Sequence, residues 1–542
     1  MKKNKELKEV SKNINFWLIA GLIAIVLAFS LGRDITRPFN GLHSWAQASG
    51  AWAARAHYNY GFGYTRFTST WAVGNPPTEN PSRYLDHPQL GCILKAGTFA
   101  IFGVNEWGPR VVNIFIAIIS LLLFVRILKY LVDDKTALLA GLIYAIFPLT
   151  GYFGMGGWIT VMGFWAIWCY FVLIDVVKKA NGANKWHKIG LAVSLFMLLQ
   201  FGWGGFFWAF AIGVHYVWRC MVRKVFPQIG ILSILVIAPL SSLGLNFLIM
   251  AHGYEWSFDK IIALYKWRSA KGEMATFEWG AWLAKFWEFA ITNFTLPVLI
   301  VAIAYLVFGQ IYSLSRKSTD EDKFEGRRFP QFCLFLIIPI SQLLVLRGAL
   351  WKHQTWELPC GPVIAIAAAC GVMLVYDILK RANRKLSITT ACALVGCFVI
   401  FSIMGTNYYY DMRWQPIEKI NMFKQLNEQI PPDKSLLSFE DFIVNQHKSK
   451  GGFYRPEIAW YLDREIVTAR SFEEIQKQAA TGEYPYYLIP QVKDLMPLIN
   501  AMIKNYKYQY VPGVNGKTKN GKFLRAGMMS YLIFDLNSNA GG

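Results

Sequence analysis

Two short polar segments, far apart in the chain, carry the side chains best suited to chemistry. The first reads Tyr-Leu-Asp-His-Pro over residues 84–88, and the second reads Lys-His-Gln-Thr-Trp-Glu-Leu-Pro over residues 352–359. Each lies in a polar break beside apolar segments. If both breaks lie on one side of a membrane, the Asp-His pair of the first meets the Lys-His pair of the second at the water–lipid boundary. A carboxylate with cationic and imidazole groups at such a boundary suits the binding of a lipid-linked phosphate.

The first pair, Asp86 and His87, directly precedes an apolar stretch that is too short to span a membrane comfortably. Pro88 occupies a position that is favoured in the first turn of a helix. Either side chain could therefore serve only as a helix cap. The alternative is an anion site formed by the free N–H groups at the helix end together with His87. Because a charged group there is costly without a partner, we favour the anion site.

The second pair, Lys352 and His353, lies in a short loop that leads through Leu358-Pro359 into the next apolar segment. A lysine binds phosphate as a point charge. Taken alone, Lys352 is better explained as a lysine that extends its ammonium group to the membrane surface. The neighbouring His353 and the prolines that follow make a phosphate contact the more specific interpretation.

The composition is that of a polytopic membrane protein. Of the 542 residues, 54% are hydrophobic and only 16% are charged, whereas soluble domains carry about 25% charged residues. The net charge is +21, but many basic residues flank apolar segments, so we expect the lipid bilayer and no nucleic acid as a partner. The eight cysteines show no CxxC spacing and no acidic cluster is present, so we expect no disulfide framework, metal or other cofactor.

Hydropathy predicts about eleven membrane-spanning helices, since one span needs about 20 predominantly apolar residues. The predicted spans are residues 15–32, 108–130, 136–153, 157–177, 188–201, 203–219, 228–250, 293–314, 331–347, 358–379 and 387–405. Three glycines at 202, 204 and 205 interrupt the pair between 188 and 219.

The distribution of lysine and arginine orients these spans. The basic amino terminus is expected in the cytoplasm as a retained anchor, because no small-residue cleavage site follows the first apolar run. Every loop that is then predicted inside is basic, namely 126–135, 178–188, 219–227, 315–329 and 380–386. The opposite, extracytoplasmic side receives the loops 33–107, 251–292 and 348–357 and everything after about residue 406.

Two domains are expected, and the fold class is mainly α. Residues 1–410 form a multi-span transmembrane domain, whose first external loop, 33–107, carries amphipathic helices along the interface. Residues 411–542 alternate short apolar runs with helical stretches, which is typical of an α/β domain. We expect this C-terminal domain in the extracytoplasmic space.

At the two polar segments the sequence resembles the membrane glycosyltransferases of the GT-C fold, in the branch of the protein O-mannosyltransferases (glycosyltransferase family 39) and the lipid A aminoarabinose transferases. Members show a His-Pro-Pro or Lys-Pro-Pro segment leading into "lFG.sewaaRl", and a late "K.h.YlLP..P" segment. The matching residues are His87-Pro88-Gln89, the stretch 102–110, and Lys352-His353 with Leu358-Pro359 and Pro362. The topology, the long first loop and the C-terminal domain also resemble the family.

The resemblance implies a multi-pass enzyme of the bacterial inner membrane that moves a sugar from a polyprenyl-phosphate donor to an extracytoplasmic acceptor. That acceptor would be a cell-envelope glycan, lipid A (as in lipopolysaccharide biosynthesis) or a protein. The family roles carried over make His87, Lys352 and His353 contacts of the donor phosphate, to which we add Arg55 of the first loop. In an inverting displacement, a carboxylate would take the proton of the acceptor hydroxyl.

One departure from the family concerns this base. No Asp or Glu occurs between His43 and Arg55, where the family has its first-loop acid, and the break 151–157 has none either. The candidates for the base are therefore Asp86, His43 and, with less weight, Asp34. A neutral imidazole can act as a base near pH 7.

Two other functions stay open. One is a transporter or flippase for a lipid-linked glycan, although the few ionisable groups within the spans argue against it. The other is a catalytically silent partner in surface-polysaccharide assembly, which the missing first-loop acid keeps open.

Overall fold

The computed structural model describes the chain in thirteen stretches. These are residues 2–79, 81–85, 87–154, 157–174, 185–253, 259, 262–263, 278–309, 325–348, 353–413, 415–440, 456–513 and 529–538. Two predicted site residues, Asp86 and Lys352, lie outside the described residues.

Helices make up most of the described chain. In chain order they are α1 Lys2–Gly32, α2 Ser44–Thr65, α3 Leu90–Phe102, α4 Trp107–Leu131, α5 Asp134–Ile146, α6 Pro148–Phe153, α7 Gly157–Leu173, α8 Lys185–Phe201, α9 Gly205–Arg223, α10 Ile229–Gly253, α11 Trp279–Phe294, α12 Leu296–Ala304, α13 Glu325–Val345, α14 Cys360–Ala382, α15 Arg384–Asp411, α16 Ile417–Gln429, α17 Pro456–Leu462, α18 Phe472–Ala479 and α19 Met496–Asn505. A π-helical turn, Tyr305–Gly309, continues α12, and a 3-10 turn, Gln354–Glu357, precedes α14.

The chain divides into two compact units. The first contains residues 1–35, 86–88 and 110–409, and the second contains residues 36–85, 89–109 and 410–542. The short segment with His87 therefore belongs to the same unit as the late polar break. The rest of the first external loop, which we expected in the membrane domain, groups with the C-terminal residues.

The first unit holds the apolar helices. Within the described ranges, six helices are long and apolar enough to cross a membrane, namely α1 from Asn13, α4, α9, α10, α14 and α15. Helix α11 and the helix Leu296–Gly309 form a bent pair that would make a seventh span. Each predicted span falls on a helix, but α5, α6, α7 and α8 are shorter than 18 residues. The protein is therefore a mainly helical, multi-pass membrane protein.

The bent pair corrects one predicted loop. Residues 279–292 were expected in the second external loop, yet they form most of α11. The charges of Lys285 and Glu288 lower the hydropathy there, although the two side chains pair with each other 2.8 Å apart on the exposed helix surface. At Thr295 the backbone turns into the left-handed region (φ 68°), and the helix direction bends by 108°.

Close packing holds the helical unit together, because lipid supplies no hydrophobic drive between helices. The buried core runs through α4, α5, α7, α8 and α14. Gly163 of α7 lies so near Trp208 of α9 that a Cβ atom would come within 2.3 Å of the indole ring. The glycine therefore permits this close helix approach.

The second unit contains the strands. They are β1 Ser69–Trp71, β2 Ser82–Tyr84, β3 Leu436–Ser438, β4 Ile466–Thr468, β5 Tyr486–Pro490, β6 Lys507–Val511 and β7 Tyr531–Asp535. Strands β1 and β2 form an antiparallel ribbon within the first loop. The other five form a mixed sheet in the order β4-β3-β5-β7-β6, in which β3 runs parallel to β4 and β5, and β7 runs antiparallel to β5 and β6. The predicted C-terminal sheet is thus present.

One of the hydrophobic cores of this unit joins the first loop to the C-terminal residues. Trp52 and Trp71 of the loop stack 5.7 Å apart and share this core with Trp460 of α17. The backbone N–H of Phe39 donates to the Tyr461 hydroxyl at 2.7 Å, and its ring packs on Trp460. The loop and the C-terminal region therefore bury their apolar faces against each other.

Candidate active site

The described residues of the late polar break form a tight turn just before α14. His353 is half-buried with an extended backbone at the start of the 3-10 turn. The Trp356 N–H donates to the His353 carbonyl at 3.2 Å, and the Leu358 N–H donates to the Thr355 carbonyl at 3.1 Å. Pro359 then precedes α14. These bonds hold His353 in a short, hydrogen-bonded segment just before α14.

Glu357, at the end of this turn, is completely buried. Its Oε2 accepts a hydrogen bond from Asn293 Nδ2 at 2.8 Å. The same amide nitrogen donates to the Gln354 carbonyl at 3.2 Å, and the Tyr409 hydroxyl donates to Asn293 Oδ1 at 2.5 Å. Asn293 and Tyr409 are also buried. The network therefore ties the turn to α11 and to α15.

Burial changes the protonation of Glu357. The apolar surroundings raise the pKa of this carboxyl to about 9, and the hydrogen bond from Asn293 opposes that rise only in part. At neutral pH the carboxyl is therefore protonated and uncharged. Its Oε1 has no hydrogen-bond partner among the residues that the structure describes. The buried turn thus contains a neutral acid with one unsatisfied oxygen.

Two of the predicted residues besides His353 lie in the first unit. His87 is half-buried in the segment 86–88, which groups with the helices. Asp34 is exposed just after α1 and adopts a left-handed backbone conformation (φ 56°). The following residue, Ile35, accepts a hydrogen bond from Arg110 Nη1 through its carbonyl at 2.7 Å. Asp34 therefore sits on an anchored helix end and faces solvent.

His43 and Arg55 lie in the second unit. His43 is half-buried at the position before α2, and its backbone is also left-handed (φ 54°). Such a conformation is uncommon for a residue other than glycine. The adjacent Ser44 hydroxyl donates to Glu457 Oε1 at 3.1 Å, with both side chains buried. The start of α2 is thus fixed against α17.

The side chain of Arg55 is bound by several partners inside the second unit. Its Nη1 donates to the Trp460 carbonyl at 2.8 Å and its Nη2 to the Ala459 carbonyl at 3.0 Å. Nη2 also pairs with Asp463 Oδ1 at 2.9 Å, and the guanidinium lies 4.8 Å from the Trp460 ring centre. Arg55 therefore joins α2 to the carbonyl end of α17.

Sequence reasoning missed Asn293, Tyr409 and Glu357 as members of one network. Asn293 and Glu357 are 64 residues apart in the chain; Asn293 stands singly in an apolar run, whereas Glu357 lies at the end of the late polar break. No local spacing could have linked them. Among the described residues, no group of three or more His, Cys, Asp or Glu side chains comes together as a metal site would require.

The apolar helices and the separate mixed sheet define the class: a multi-pass membrane protein with a sheet-containing C-terminal region. Two solved membrane glycosyltransferases share this fold. ArnT from Cupriavidus metallidurans bound to undecaprenyl phosphate superposes with a TM-score of 0.57 at 12% identity, over 96% of this chain and 97% of that one. The archaeal oligosaccharyltransferase AglB from Archaeoglobus fulgidus, in complex with an inhibitory peptide and a dolichol-phosphate, gives 0.55 at 12% identity, over 96% and 74%. The chain therefore has the GT-C fold.

Sequence comparison finds relatives in the same class. The model of the dolichyl-phosphate-mannose-protein mannosyltransferase family matches residues 86–242. The undecaprenyl phosphate-alpha-4-amino-4-deoxy-L-arabinose arabinosyl transferase of Pseudomonas aeruginosa is 24% identical over 340 residues. That match covers 60% of this chain and 57% of the relative. The family match begins at the Asp86-His87 pair.

Proposed function

We propose that this protein is an integral membrane glycosyltransferase that moves a sugar from a polyprenyl-phosphate donor to an extracytoplasmic acceptor. The main support is that the family match begins at Asp86-His87, the segment whose chemistry suits a phosphate. The fold shared with a protein bound to undecaprenyl phosphate and one bound to dolichol-phosphate agrees with this. We place the protein in the bacterial inner membrane, with the amino terminus in the cytoplasm and the second unit outside.

The donor phosphate would be bound by His87, Lys352 and His353. Each brings a cation or an N–H donor, and such groups stabilise the charge that develops on a departing phosphate. His87 and His353 belong to one compact unit, which supports a shared site. Arg55 is the weakest of the four predicted contacts, because its guanidinium already binds two carbonyls and Asp463.

The chemistry would be a single inverting displacement. The acceptor hydroxyl oxygen attacks the anomeric carbon while the bond from that carbon to the phosphate oxygen breaks. The base receives the hydroxyl proton, and polyprenyl phosphate leaves with the bonding electrons. Asp86 and His43 are the preferred bases, and Asp34 is the third.

The same relatives support two classes of acceptor. A membrane lipid such as lipid A, or another cell-envelope glycan, fits the relationship to the aminoarabinose transferases. A protein acceptor fits the matched mannosyltransferase family. A pentose is the donor sugar of the arabinosyl relative, and a hexose is that of the mannosyltransferase family.

The test is transfer by purified protein in lipid nanodiscs, with radiolabelled polyprenyl-phosphate pentoses and hexoses and with lipid A, glycan and peptide acceptors. We expect transfer from at least one donor, and a loss of 10²-fold or more in His87→Ala and in Lys352→Ala. His252→Ala and Lys385→Ala change exposed residues of the same types and should keep full activity.

Two results would contradict the proposal. A wild-type protein that transfers no sugar but moves the lipid-linked sugar across the bilayer would identify a flippase instead. A wild-type protein that does neither would favour a silent assembly partner. Full activity in His87→Ala would remove that residue from the donor site.

A further inference from the structure

We infer that Glu357 is a positioning residue of the donor-phosphate site, which it serves by fixing the turn that begins at His353. This inference rests on the proposed function, because it assigns the turn to the donor site. The carboxyl acts through Asn293 and Tyr409 and does not itself touch the substrate.

The burial of Glu357 is the first argument. A polar group removed from water costs free energy unless all its hydrogen bonds are replaced. Here Oε2 has a partner and Oε1 has none among the described residues. A leucine, which has a similar volume, would be buried at this position with less cost. Stability alone therefore does not explain a carboxyl here, and a geometric role does.

The second argument is what the network connects. Asn293 lies near the end of α11, just before the 108° bend at Thr295. It contacts both ends of the 3-10 turn, since it donates to the Gln354 carbonyl and to the Glu357 carboxyl. The Tyr409 hydroxyl in turn fixes the Asn293 amide from α15. Asn293 of α11, which is itself held by Tyr409 of α15, thus bonds a turn of four residues at both ends.

The third argument is the place of the turn in the chain. His353 precedes it directly, and Pro359 follows it at the start of α14. Within the turn, the backbone bonds to the carbonyls of His353 and Thr355 set the local shape only. Side chains of the neighbouring helices set the direction of the whole turn: Asn293 bonds both of its ends, and Gln342 Nε2 makes a longer contact of 3.5 Å with the Trp356 carbonyl. Loss of the Glu357 contact would therefore leave the turn folded, but its orientation relative to the helices would be less well fixed.

The test compares three variants in nanodiscs. Glu357→Gln keeps an acceptor for Asn293, Glu357→Leu removes it, and Gln200→Leu removes another buried amide, which bonds Ser242 at 2.8 Å elsewhere in the helical unit. We expect Glu357→Leu to raise KM for the donor about tenfold with little change in kcat, from the loss of one buried hydrogen bond. Glu357→Gln and Gln200→Leu should keep the wild-type KM.

Backbone hydrogen exchange over residues 353–358 provides a readout that does not depend on activity. We expect exchange to quicken about tenfold in Glu357→Leu and in Asn293→Leu, with no added effect in the double variant, because both break one network. Unchanged exchange and unchanged KM in Glu357→Leu would overturn the inference. If the wild type transfers no sugar, the proposed function fails, whereas the exchange data still decide whether Glu357 holds the turn.

Discussion

A carboxyl group removed from water either finds a cation or keeps its proton, and Glu357 keeps its proton. Its hydrogen-bond partner is the neutral amide of Asn293, and burial raises its pKa to about 9. In the unfolded chain the same group ionises near pH 4.5. Between these two values the folded protein binds one more proton than the unfolded protein does.

This difference predicts how stability depends on pH. The contribution of Glu357 is fully present below about pH 4.5, falls as the pH rises toward 9, and stays constant above that. The slope is at most about 1.4 kcal/mol per pH unit. In thermal melts of protein in nanodiscs between pH 5 and pH 8, we expect Glu357→Gln to flatten the decline that the wild type shows. Parallel curves for the two proteins would refute the raised pKa.

At the same scale, the sequence indicated two pairs of candidate site residues, whose roles stay predictions. The Lys352-His353 and Asp86-His87 pairs were recognisable because charged residues in a polar break beside prolines are a local pattern. The Glu357–Asn293–Tyr409 network was not, because it depends on how α11 and α15 meet the turn. The family resemblance did not indicate Glu357 either, because the family pattern has an apolar residue at that position.

Among the elements, α2 shows how a predicted ligand contact can have another role. The guanidinium of Arg55 acts as a cap for α17, with two of its carbonyls and Asp463 as partners. Carbonyls at the end of a helix are its negative pole, so a cation there is favourable. The planar fork of arginine suits several partners at once, and lysine does not replace it.

This geometry predicts that Arg55 and Asp463 act together. Arg55→Ala and Asp463→Ala should each lower the free energy of unfolding of the second unit by roughly 3 kcal/mol, because each leaves a group of a largely buried pair without its partner. The double variant should lose much less than the sum. Hydrogen exchange over residues 456–463 measures this, with exposed Arg470→Ala as the control. If Arg55 instead binds the donor phosphate, only its own substitution would reduce donor affinity.

Hydropathy predicted the positions of most helices, but it did not predict where the helices break. Predicted span 157–177 corresponds to α7, Gly157–Leu173, whereas span 293–314 corresponds to α12 and misses nearly all of α11, Trp279–Phe294, with which α12 forms the bent pair. The bend at Thr295 has no glycine or proline at the turning residue itself. The break has a local cause that hydropathy does not weigh: Pro297, in the first turn of α12, lacks the N–H that would continue α11 through Thr295.

For the whole molecule, the basic loops predict the orientation in the membrane. Lys477 is exposed on α18 and Lys385 is exposed near the start of α15. In a Cys392→Ser background, a cysteine at 477 should react in intact cells with a thiol reagent that cannot cross the membrane. A cysteine at 385 should react only after permeabilisation. The reverse pattern would invert the topology and exclude an extracytoplasmic acceptor.

The hydrophobic core shared by Trp52, Trp71 and Trp460 has a consequence for biosynthesis. The ribosome makes the loop that supplies one half of this core long before the region that supplies the other half. During that interval most of the helices are inserted while aromatic surface of the loop stands uncovered. A gene fragment encoding only residues 411–542 would leave the matching surface bare in the same way, so its product should aggregate unless residues 36–109 are supplied in trans.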